Sequence, residues 1–256
     1  MLKGITFSDL HLLAGRQKEK HWEPWMRRWR SDYDLCILNG DIFDFRWSRE
    51  RDRIQSIRIA EAWLRHLLEP RERAHFVILL GNHDSCPHYQ LLLKQLSDDY
   101  EHLHWEEHWW VLGDKIFLHG DIPDLSGELE TLQAYRAHHN GLSMQPPHPI
   151  RHWFYKSATR VGITGTVPRV LPWRKQCLRT DIFLQNQLGS RYDAIRDVYL
   201  GHTHVHFADY EHHGTLFHNC GAPFRGARFR PAEFQFSDTQ WQASRQNPLG
   251  VELYRY

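Results

Sequence analysis

The sequence predicts a mixed α/β (α+β) protein in which two stacked, mixed β-sheets are flanked by helices. Several short apolar runs rich in β-branched residues end abruptly in polar clusters, and such runs are typical of buried strands. Stretches with helical spacing separate the first three runs, which predicts parallel strands joined by helices. Later runs are joined by short turns, which predicts the hairpins of a second sheet.

The first three predicted strands are LKGITF, LCILN and FVILL. They lead directly into the polar clusters SDLH, GDIFD and GNHD. Residues 17–31 and 50–68 lie between these strands and predict two helices, the second of which stops before Pro70. The first half of the chain therefore predicts strands and helices in alternation, with a polar cluster after each strand.

The second half of the chain predicts further strands, joined mainly by turns. KIFL and DVYL lead into the clusters HGD and GHTH. The segments WWVLGDKIFLHG and HFADYEHHGTLFHNCG predict hairpins, and the tail, AEFQFSDTQWQ followed by VELYRY, predicts additional strands. Each polar cluster thus follows the carboxyl end of a strand, where α/β sheets usually build their active sites.

We interpret residues 1–256 as one domain that carries a helical insert at 125–192. The insert interrupts the strand pattern, and its helices are broken near SMQPPHP and TGTVPRVLP. Residues 131–180 contain eight basic side chains and no Asp or Glu. The eight are Arg136, Arg151, Lys156, Arg160, Arg169, Arg174, Lys175 and Arg179. The net charge of +1 therefore combines a basic insert with a body of net charge −7.

Cysteine usage and hydropathy indicate a reducing compartment. The four cysteines show no C-x-x-C spacing, which argues against a disulfide framework and a zinc knuckle. No apolar run approaches the ~18 residues that span a bilayer, and the first residues lack a signal-peptide pattern. We therefore expect a cytoplasmic protein that contacts the inner face of a membrane peripherally at most.

Five polar clusters follow five predicted strands in a fixed order. Any one cluster alone is typical of a capped turn or a surface histidine, but five together favour a single site. Their potential metal-ligand side chains are Asp9, His11, Asp41, Asp44, Asn82, His83, Asp84, His119, Asp121, His202 and His204. Imidazole, carboxylate and amide donors without thiolate suit Mn, Fe, Zn, Ni or Co.

The order of these clusters resembles the calcineurin-like metallophosphoesterases, over about residues 1–125 and 195–225. The segment HNCGAPFRG is similar to the Asn-x-Gly segment of that family. The resemblance implies a four-layer sandwich and two divalent cations, with Mn, Fe or Zn as candidates. It also implies a metal-bridging hydroxide that attacks a phosphodiester or pyrophosphate bond. It assigns Asp9, His11, Asp41 and His204 to one cation, and Asp41, Asn82, His119 and His202 to the other.

The resemblance gives His83 a catalytic role that does not involve metal binding. Its imidazole would protonate the leaving oxygen or stabilise the developing charge. Asp44 and Asp84 would support catalysis by orienting a ligand, and simple turn capping is an equal alternative for both. Asp121 would contact either a metal-bound water or the basic insert, and we place it among the substrate-binding candidates.

The cluster LHGD and the insert are similar to the UDP-diacylglucosamine pyrophosphatase branch of the family. That similarity implies a lipid-linked nucleotide as substrate. Arg169, Arg174, Lys175 and Arg179 would hold its diphosphate, and Trp153, Phe154, Tyr155 and Trp173 would meet acyl chains or an anionic membrane. The branch usually carries Arg at the position of His83 and Glu at that of Asp44.

Other phosphate-containing substrates remain open because of these two departures. A basic insert with aromatic residues beside two cations also suits a nucleotide or nucleic-acid phosphodiesterase. A scaffold of the same fold without activity is a further alternative, although such a protein should have gaps in its ligand set. A lid whose basic residues are simply solvated is the remaining interpretation of the insert.

The segment LGHTHVHF carries a third histidine, His206, at the same alternate spacing as His202 and His204. The ligand assignment leaves no position for it. We expect His206 to begin the next strand at the rim of the site.

Overall fold

A computed structural model describes residues 1–14, 22–50, 52–69, 74–144, 173–224 and 226–250. Its strands are β1 (Leu2–Phe7), β2 (Leu35–Asn39), β3 (His75–Leu79), β4 (Leu103–Glu106), β5 (Trp109–Leu112), β6 (Lys115–Leu118), β7 (Asp197–Leu200), β8 (Phe207–His212), β9 (Thr215–Asn219) and β10 (Ala232–Phe236). Its helices are α1 (Glu23–Asp32), α2 (Arg53–Leu68), α3 (Pro87–Asp99), α4 (Leu129–Met144), α5 (Trp173–Leu188) and α6 (Asp238–Gln246), with a 3₁₀ helix at Gly189–Ala194.

The strands form two mixed sheets of five strands each. In the first sheet the order is β10-β1-β2-β3-β4, with β1 to β4 parallel and β10 antiparallel to β1. In the second sheet the order is β5-β6-β7-β9-β8, with β6, β7 and β9 parallel and the two edge strands antiparallel. The carboxyl ends of the parallel strands within each sheet therefore meet at one edge.

The two sheets pack against each other through an apolar core. Along β2, Leu35 and Ile37 face this core, whereas Cys36 and Leu38 between them face the opposite side, as the alternation of a strand requires. Phe117 of β6 lies 4.9 Å, centroid to centroid, from Phe234 of β10, which is direct contact between the sheets. Burial on both faces explains why these strands are apolar throughout.

Helices cover the outer faces of both sheets. Trp29 of α1, Leu64 of α2 and Tyr89 of α3 are buried against the first sheet. Leu132 of α4 and Phe183 of α5 are buried against the second. Mixed sheets flanked by helices, as expected from the alternating pattern, are thus confirmed.

The strands that precede the polar clusters are confirmed, as are both hairpins. One expectation was wrong: within AEFQFSDTQWQ, only Ala232–Phe236 is a strand, and Asp238–Gln246 is a helix. Ser237 and Gln240 form a capping box there, in which each side chain bonds the other's backbone N–H. VELYRY lies outside the described residues. Strand β4 and helix α3 were not predicted.

The described part of the insert is helical. Helices α4 and α5 account for Leu129–Met144 and Trp173–Leu188, and residues 145–172, which include Arg169 and the aromatic residues at 153–155, lie outside the described part. All four cysteines are buried and free. Among the described residues, no helix has both the length and the apolar character needed to cross a membrane.

Candidate metal centre

The five polar clusters come together at the edge where the parallel strands end. They lie in the loops after β1, β2, β3, β6 and β7, which belong to both sheets. Six of the seven predicted ligands fall into groups whose donor atoms lie within 4.8 Å of one another. The structure therefore brings together residues that are up to 195 positions apart in the chain.

The first group joins the loops after β1 and β7. His11 Nε2 lies 3.1 Å from His204 Nε2, and His204 Nε2 lies 3.2 Å from Asp9 Oδ1. The His11 Nε2–Asp9 Oδ1 distance is 3.9 Å. Metal–donor bonds of ~2.0–2.2 Å place neighbouring donors about 3 Å apart or somewhat more, so these separations suit a single cation.

The second group consists of Asp41, His119 and His202. His119 Nε2 lies 3.2 Å from Asp41 Oδ2, and the same oxygen lies 3.7 Å from His11 Nε2 of the first group. A further described group, Asp41 with His11 and His83, overlaps both of these groups, so Asp41 and His11 connect them. A carboxylate in that position can serve two cations at once.

Hydrogen bonds fix the orientation of two ligand histidines. His119 Nδ1 donates to the backbone oxygen of Asn39 at 3.2 Å, and His11 Nδ1 lies 3.3 Å from Asp44 Oδ2. A carbonyl or carboxylate oxygen can only accept, so the Nδ1 atom carries the proton in each case. Each Nε2 then points into the site, as in carboxylate–histidine–metal arrangements.

The amide oxygen of Asn82 provides a further indication of a bound cation. Asn82 Oδ1 is buried and, within the described part of the chain, has no hydrogen-bond partner. Buried polar atoms are nearly always satisfied, and an orphaned acceptor calls for an unseen water or ion. A cation beside Asn82 would satisfy this atom, so the residues present fit the divalent metals that the sequence predicts.

Both ligand carboxylates are ionised at neutral pH. Burial raises the pKa of Asp41, but His119 and His83 outweigh burial and hold this pKa well below its usual range. Burial likewise opposes ionisation of Asp9, but the hydrogen bond from His204, together with electrostatic attraction to His204 and His119, outweighs burial and lowers the Asp9 pKa. Burial lowers the pKa of His119, but Asp41 and Asp9 outweigh burial and raise this pKa to about 10, so the two buried carboxylates attract positive charge, which a bound cation can also supply.

The ligand loops adopt strained backbone. Five of the seven predicted ligands have positive φ angles: Asp9 (54°), His11 (45°), Asp41 (51°), His202 (63°) and His204 (57°). Left-handed conformations cost non-glycine residues of order 1–3 kcal/mol each and cluster at functional sites. The predicted ligands are thus concentrated at strained backbone positions. This observation supports a functional role for them and is independent of the sequence pattern.

Two glycines of the clusters are required because no side chain fits. A Cβ on Gly201 would lie 2.5 Å from Asp9 Oδ2, and a Cβ on Gly81 would overlap Asp41 Oδ1. The glycines in GNHD and GHTH thus let the backbone approach the two carboxylates.

Asp44 connects a ligand histidine to the predicted catalytic histidine. Its Oδ2 lies 3.3 Å from His11 Nδ1, and its Oδ1 lies 3.1 Å from His83 Nδ1. The His83 backbone N–H donates to Asp41 Oδ1 at 2.8 Å, which fixes the position of His83 beside the shared carboxylate. Asp44 Oδ1 also accepts from the Trp47 backbone N–H at 2.9 Å, so Asp44 makes the contacts of both roles that we considered, histidine orientation and turn capping.

Asp84 has the alternative role, turn capping. Its carboxylate accepts backbone N–H bonds from Gly81 at 2.7 Å and from Ile42 at 2.8 Å, which ties the loop after β2 to the loop after β3. Burial and the neighbouring Asp41 raise the Asp84 pKa to about 7. Its described contacts are with backbone, so it is not placed as a catalytic group.

Asp121 is the second predicted site residue whose role changes. Arg136 of α4 bonds both of its oxygens, with Nε–Oδ2 and Nη2–Oδ1 distances of 2.9 Å and 2.7 Å. Both side chains are buried. Of the two roles considered, Asp121 therefore contacts the insert, where it anchors α4, and the structure does not place it as a substrate-binding residue.

Three of the four basic residues predicted to hold a diphosphate lie in the described part of the chain. Arg174 lies over the rings of Trp173 and Tyr210, at 5.2 Å and 5.8 Å. Lys175 is exposed and Arg179 half-buried, and Arg169 lies outside the described residues. Within the described part of the chain, no contact joins Arg174, Lys175 or Arg179 to the predicted ligands, so their substrate role stays a prediction.

Helix α4 contributes residues to the site that we did not predict. His139 Nδ1 lies 3.5 Å from Asn82 Nδ2, and the His139 ring lies 6.2 Å from that of His83. Tyr135, one turn earlier on α4, lies 4.6 Å from His139, ring to ring. Their position depends on how α4 packs, and no motif in the sequence indicates it.

The segment after β9 supports the last ligand loop. Asn219 Nδ2 donates to the backbone oxygen of Gly201 at 2.6 Å, and the Phe224 ring lies 5.0 Å from that of His204. The backbone oxygen of Asn219 accepts from His206 Nδ1 at 3.0 Å. His206 directly precedes β8 and belongs to none of the described donor groups, as expected.

The fold and site together define a mixed α/β protein, with two five-stranded sheets and a buried cluster of histidine and aspartate residues that could hold metal ions. Comparison with protein-family models gives no match, and comparison with curated proteins gives none either. Function must therefore be argued from the site itself.

Proposed function

We propose that this protein is a metal-dependent phosphoesterase that hydrolyses a phosphodiester or pyrophosphate bond at a dinuclear centre. One observation carries the proposal: the same oxygen of Asp41 faces His11 of one ligand group and His119 of the other, at 3.7 Å and 3.2 Å. A shared carboxylate between two His/Asp groups is the feature that distinguishes a paired site from a single-metal site. The layering of helices and sheets supports a four-layer metallophosphoesterase sandwich.

Two divalent cations, with Mn, Fe and Zn as candidates, would activate water and neutralise the charge of the phosphoryl group when bound. Asp9, His11, Asp41 and His204 would hold one of them, and Asp41, Asn82, His119 and His202 the other. The carboxylates Asp9 and Asp41 leave the loaded site with an excess of positive charge. Such a site favours an anionic, phosphate-containing substrate.

His83 would deliver a proton to the leaving oxygen. Asp44 lies 3.1 Å from His83 Nδ1, which orients the imidazole and stabilises its protonated form. The bond from the His83 backbone to Asp41 holds the ring next to the shared carboxylate. His83 is therefore the general-acid candidate, and Asp44 is its positioning residue.

His139 and Tyr135 would contact the part of the substrate that extends from the phosphate toward the insert. Burial lowers the pKa of His139, which favours a neutral imidazole. Burial, with Asp121 and Asp41, raises the pKa of Tyr135 to about 12, so its hydroxyl remains a hydrogen-bond donor. Helix α4 thus offers neutral polar groups, and we propose that the insert sets specificity.

The substrate class within this reaction is a separate part of the proposal. A lipid-linked nucleotide such as a UDP-lipid sugar is our first candidate, with peripheral contact to an anionic membrane from the cytoplasmic side. A nucleotide or nucleic acid is the second, supported by Arg174 stacked over Trp173 and Tyr210. A non-catalytic scaffold is disfavoured because all seven ligand positions are filled.

Hydrolysis of bis-p-nitrophenyl phosphate tests the reaction. We expect turnover that a chelator removes and Mn²⁺ restores, and we expect Asp41→Asn to abolish it. Asp98→Asn, at an exposed position on α3, is the matched control and should retain wild-type turnover. Absence of turnover in Mn²⁺-loaded protein, or an Asp41→Asn variant as active as wild type, would contradict the proposal.

A panel of phosphate-containing compounds tests which class of substrate the protein hydrolyses. It should contain UDP-lipid sugars, cyclic nucleotides, nucleoside diphosphates and oligonucleotides. The highest kcat/KM for a UDP-lipid sugar would support the first candidate, whereas the highest value for an oligonucleotide would replace it with the second.

A further inference from the structure

A second group of metal-ligand side chains lies at the other end of β8. Asp181 comes from α5, His212 is the last residue of β8, and His213 follows it in the turn to β9. Strand β8 begins beside His206 and rises ~3.3 Å per residue, so His212 is roughly 17 Å along the strand from the start of β8. This group is separate from the ligands discussed above.

The donor atoms of this group have the spacing of metal ligands. Asp181 Oδ2 lies 3.2 Å from His213 Nδ1 and 3.6 Å from His212 Nε2, and all three atoms lie within 4.8 Å of one another. Ligands ~2.0–2.2 Å from a tetrahedral cation are about 3.3 Å apart, which lies between the two measured distances. A cation therefore fits among the three atoms without a large movement.

An unusual backbone conformation brings the two adjacent histidines to the same side. Neighbouring residues in a strand point to opposite faces, but His213 has a φ of 51° and Gly214 has a φ of 83°. The two imidazole rings consequently stack, with centroids 4.1 Å apart and an interplanar angle of 24°. Positive φ at a non-glycine residue is costly, and here it aims both rings at one carboxylate.

One buried atom indicates a ligand between these side chains, because both oxygens of Asp181 have hydrogen-bond partners, Oδ2 with Gln185 Nε2 at 3.2 Å, but His212 Nε2 has none. Tyr192 donates its hydroxyl to Asp181 Oδ1 at 2.6 Å, which holds the buried carboxylate with Oδ2 toward the histidines. His212 Nε2 is buried and has no hydrogen-bond partner among the described residues. Its distance to Asp181 Oδ2 is too long for a hydrogen bond but suits two ligands of the same cation.

We propose that Asp181, His212 and His213 bind a further divalent cation of the Zn²⁺ class. Two imidazoles and one carboxylate are a common ligand set for zinc, and water would complete the coordination. The site would link α5 of the insert to the β8–β9 hairpin, so its role is to stabilise the position of α5. This inference does not rest on the proposed phosphoesterase function.

Zinc stoichiometry in untagged protein tests the site. Protein equilibrated with Zn²⁺ is freed of excess metal by gel filtration, and zinc is counted by mass spectrometry. We expect His213→Gln and His212→Gln each to bind one equivalent less than wild type. His88→Gln, an exposed histidine on α3, is the control and should match wild type. Equal zinc content in wild type and both cluster variants would overturn the proposal.

The experiment must distinguish zinc bound at this site from zinc bound at the centre beside Asp41. The same comparison is therefore repeated in an Asp41→Asn background, where the difference of one equivalent should persist. Co²⁺ gives a second readout, because four-coordinate Co²⁺ absorbs strongly in the visible range. The His213→Gln variant, whose side chain is largely exposed in the wild type, should fold normally and lose that part of the absorption. Unchanged Co²⁺ absorption in folded His213→Gln would also contradict the site.

Discussion

Arg136 of α4 donates hydrogen bonds to both carboxylate oxygens of Asp121, from Nε to Oδ2 at 2.9 Å and from Nη2 to Oδ1 at 2.7 Å, and both side chains are buried. Asp121 follows the predicted ligand His119 by two residues. The same guanidinium donates to the backbone oxygen of Glu107. This pair joins the insert to the loop that carries His119. One of the eight basic residues of the insert is thus a buried structural anchor and not part of a charged surface.

Removal of the Asp121 charge should destabilise the protein strongly. Asp121→Asn leaves the buried Arg136 without its counter-charge, and such changes cost about 3–5 kcal/mol. The measurement is urea unfolding at pH 7. Glu61→Gln is the matched control, because the Glu61–Arg65 pair is partly exposed and should contribute less than ~1 kcal/mol. Equal small losses in both variants would show that the buried pair does not anchor α4.

The Asp44 carboxylate should affect metal binding as well as turnover. Asp44→Asn weakens the orientation of His11, and loss of such a partner typically lowers metal affinity 10–100-fold. His83→Gln, in contrast, should keep its metal content while kcat falls ~10²–10⁴-fold. Metal content and kcat are measured on the same preparations. If the two variants lose metal equally, His83 is a ligand and not the acid.

The leaving group provides a control for the role of His83. A p-nitrophenolate leaves without a proton, whereas an alkoxide needs one. The loss of kcat in His83→Gln should therefore be larger for an alkyl phosphodiester than for bis-p-nitrophenyl phosphate. Identical losses for both substrates would exclude proton donation by His83.

His139 should influence selectivity more than the reaction itself. His139→Ala is expected to lower kcat/KM roughly tenfold for substrates that extend beyond the scissile phosphate, with metal content unchanged. His138→Ala is the control, since His138 is exposed and adjacent on the same helix. The kcat/KM values of both variants are compared over the substrate panel. A uniform loss over large and small substrates would remove His139 from the substrate contacts.

Glu106, at the end of β4, should make stability depend on pH. Burial, with a smaller contribution from Glu107, raises its pKa to about 7, above the value near 4.5 that it has when unfolded. The folded state therefore binds more protons between these values, and the free energy of unfolding falls as pH rises from about 4.5 to 7. Glu106→Gln removes this cost and should be more stable than wild type at pH 8, by roughly 1–2 kcal/mol after solvent screening.

Stability measurements at pH 8 and pH 4 distinguish the effect of Glu106 ionisation from a packing effect that does not depend on pH. At pH 4 the side chain is protonated in both states, so Glu106→Gln and wild type should unfold at similar urea concentrations. Glu101→Gln, at a nearby exposed position, should show no such difference between the two pH values. A constant stability difference across the pH range would attribute the effect of Glu106→Gln to packing.

The strands that position the candidate ligands could be predicted from the sequence alone. Apolar runs such as LKGITF and LCILN are buried on both faces, which leaves a continuous hydrophobic pattern in the chain. The tail helix was missed because AEFQF and SDTQWQ were interpreted as one strand, although Ser237 and Gln240 form a capping box. The Ser-x-x-Gln spacing at 237–240 is a local helix-start signal, so the sequence does contain the information for this helix.

The sequence by itself determined which residue types follow each strand, and the family resemblance of these clusters selected the seven candidate ligands among them. Tertiary structure decided what each remaining polar residue contacts. Asp44 bonds two histidines and one backbone amide, whereas Asp84 bonds backbone amides and Asp121 bonds Arg136. His139 on α4, and Asp181 with its two histidines, likewise came together only through packing. Sequence predicts the loop residues of the site because the carboxyl ends of neighbouring parallel strands meet at one edge of a sheet. It does not predict the helix residues of the site, because the face that a helix turns toward the site depends on how the helix packs.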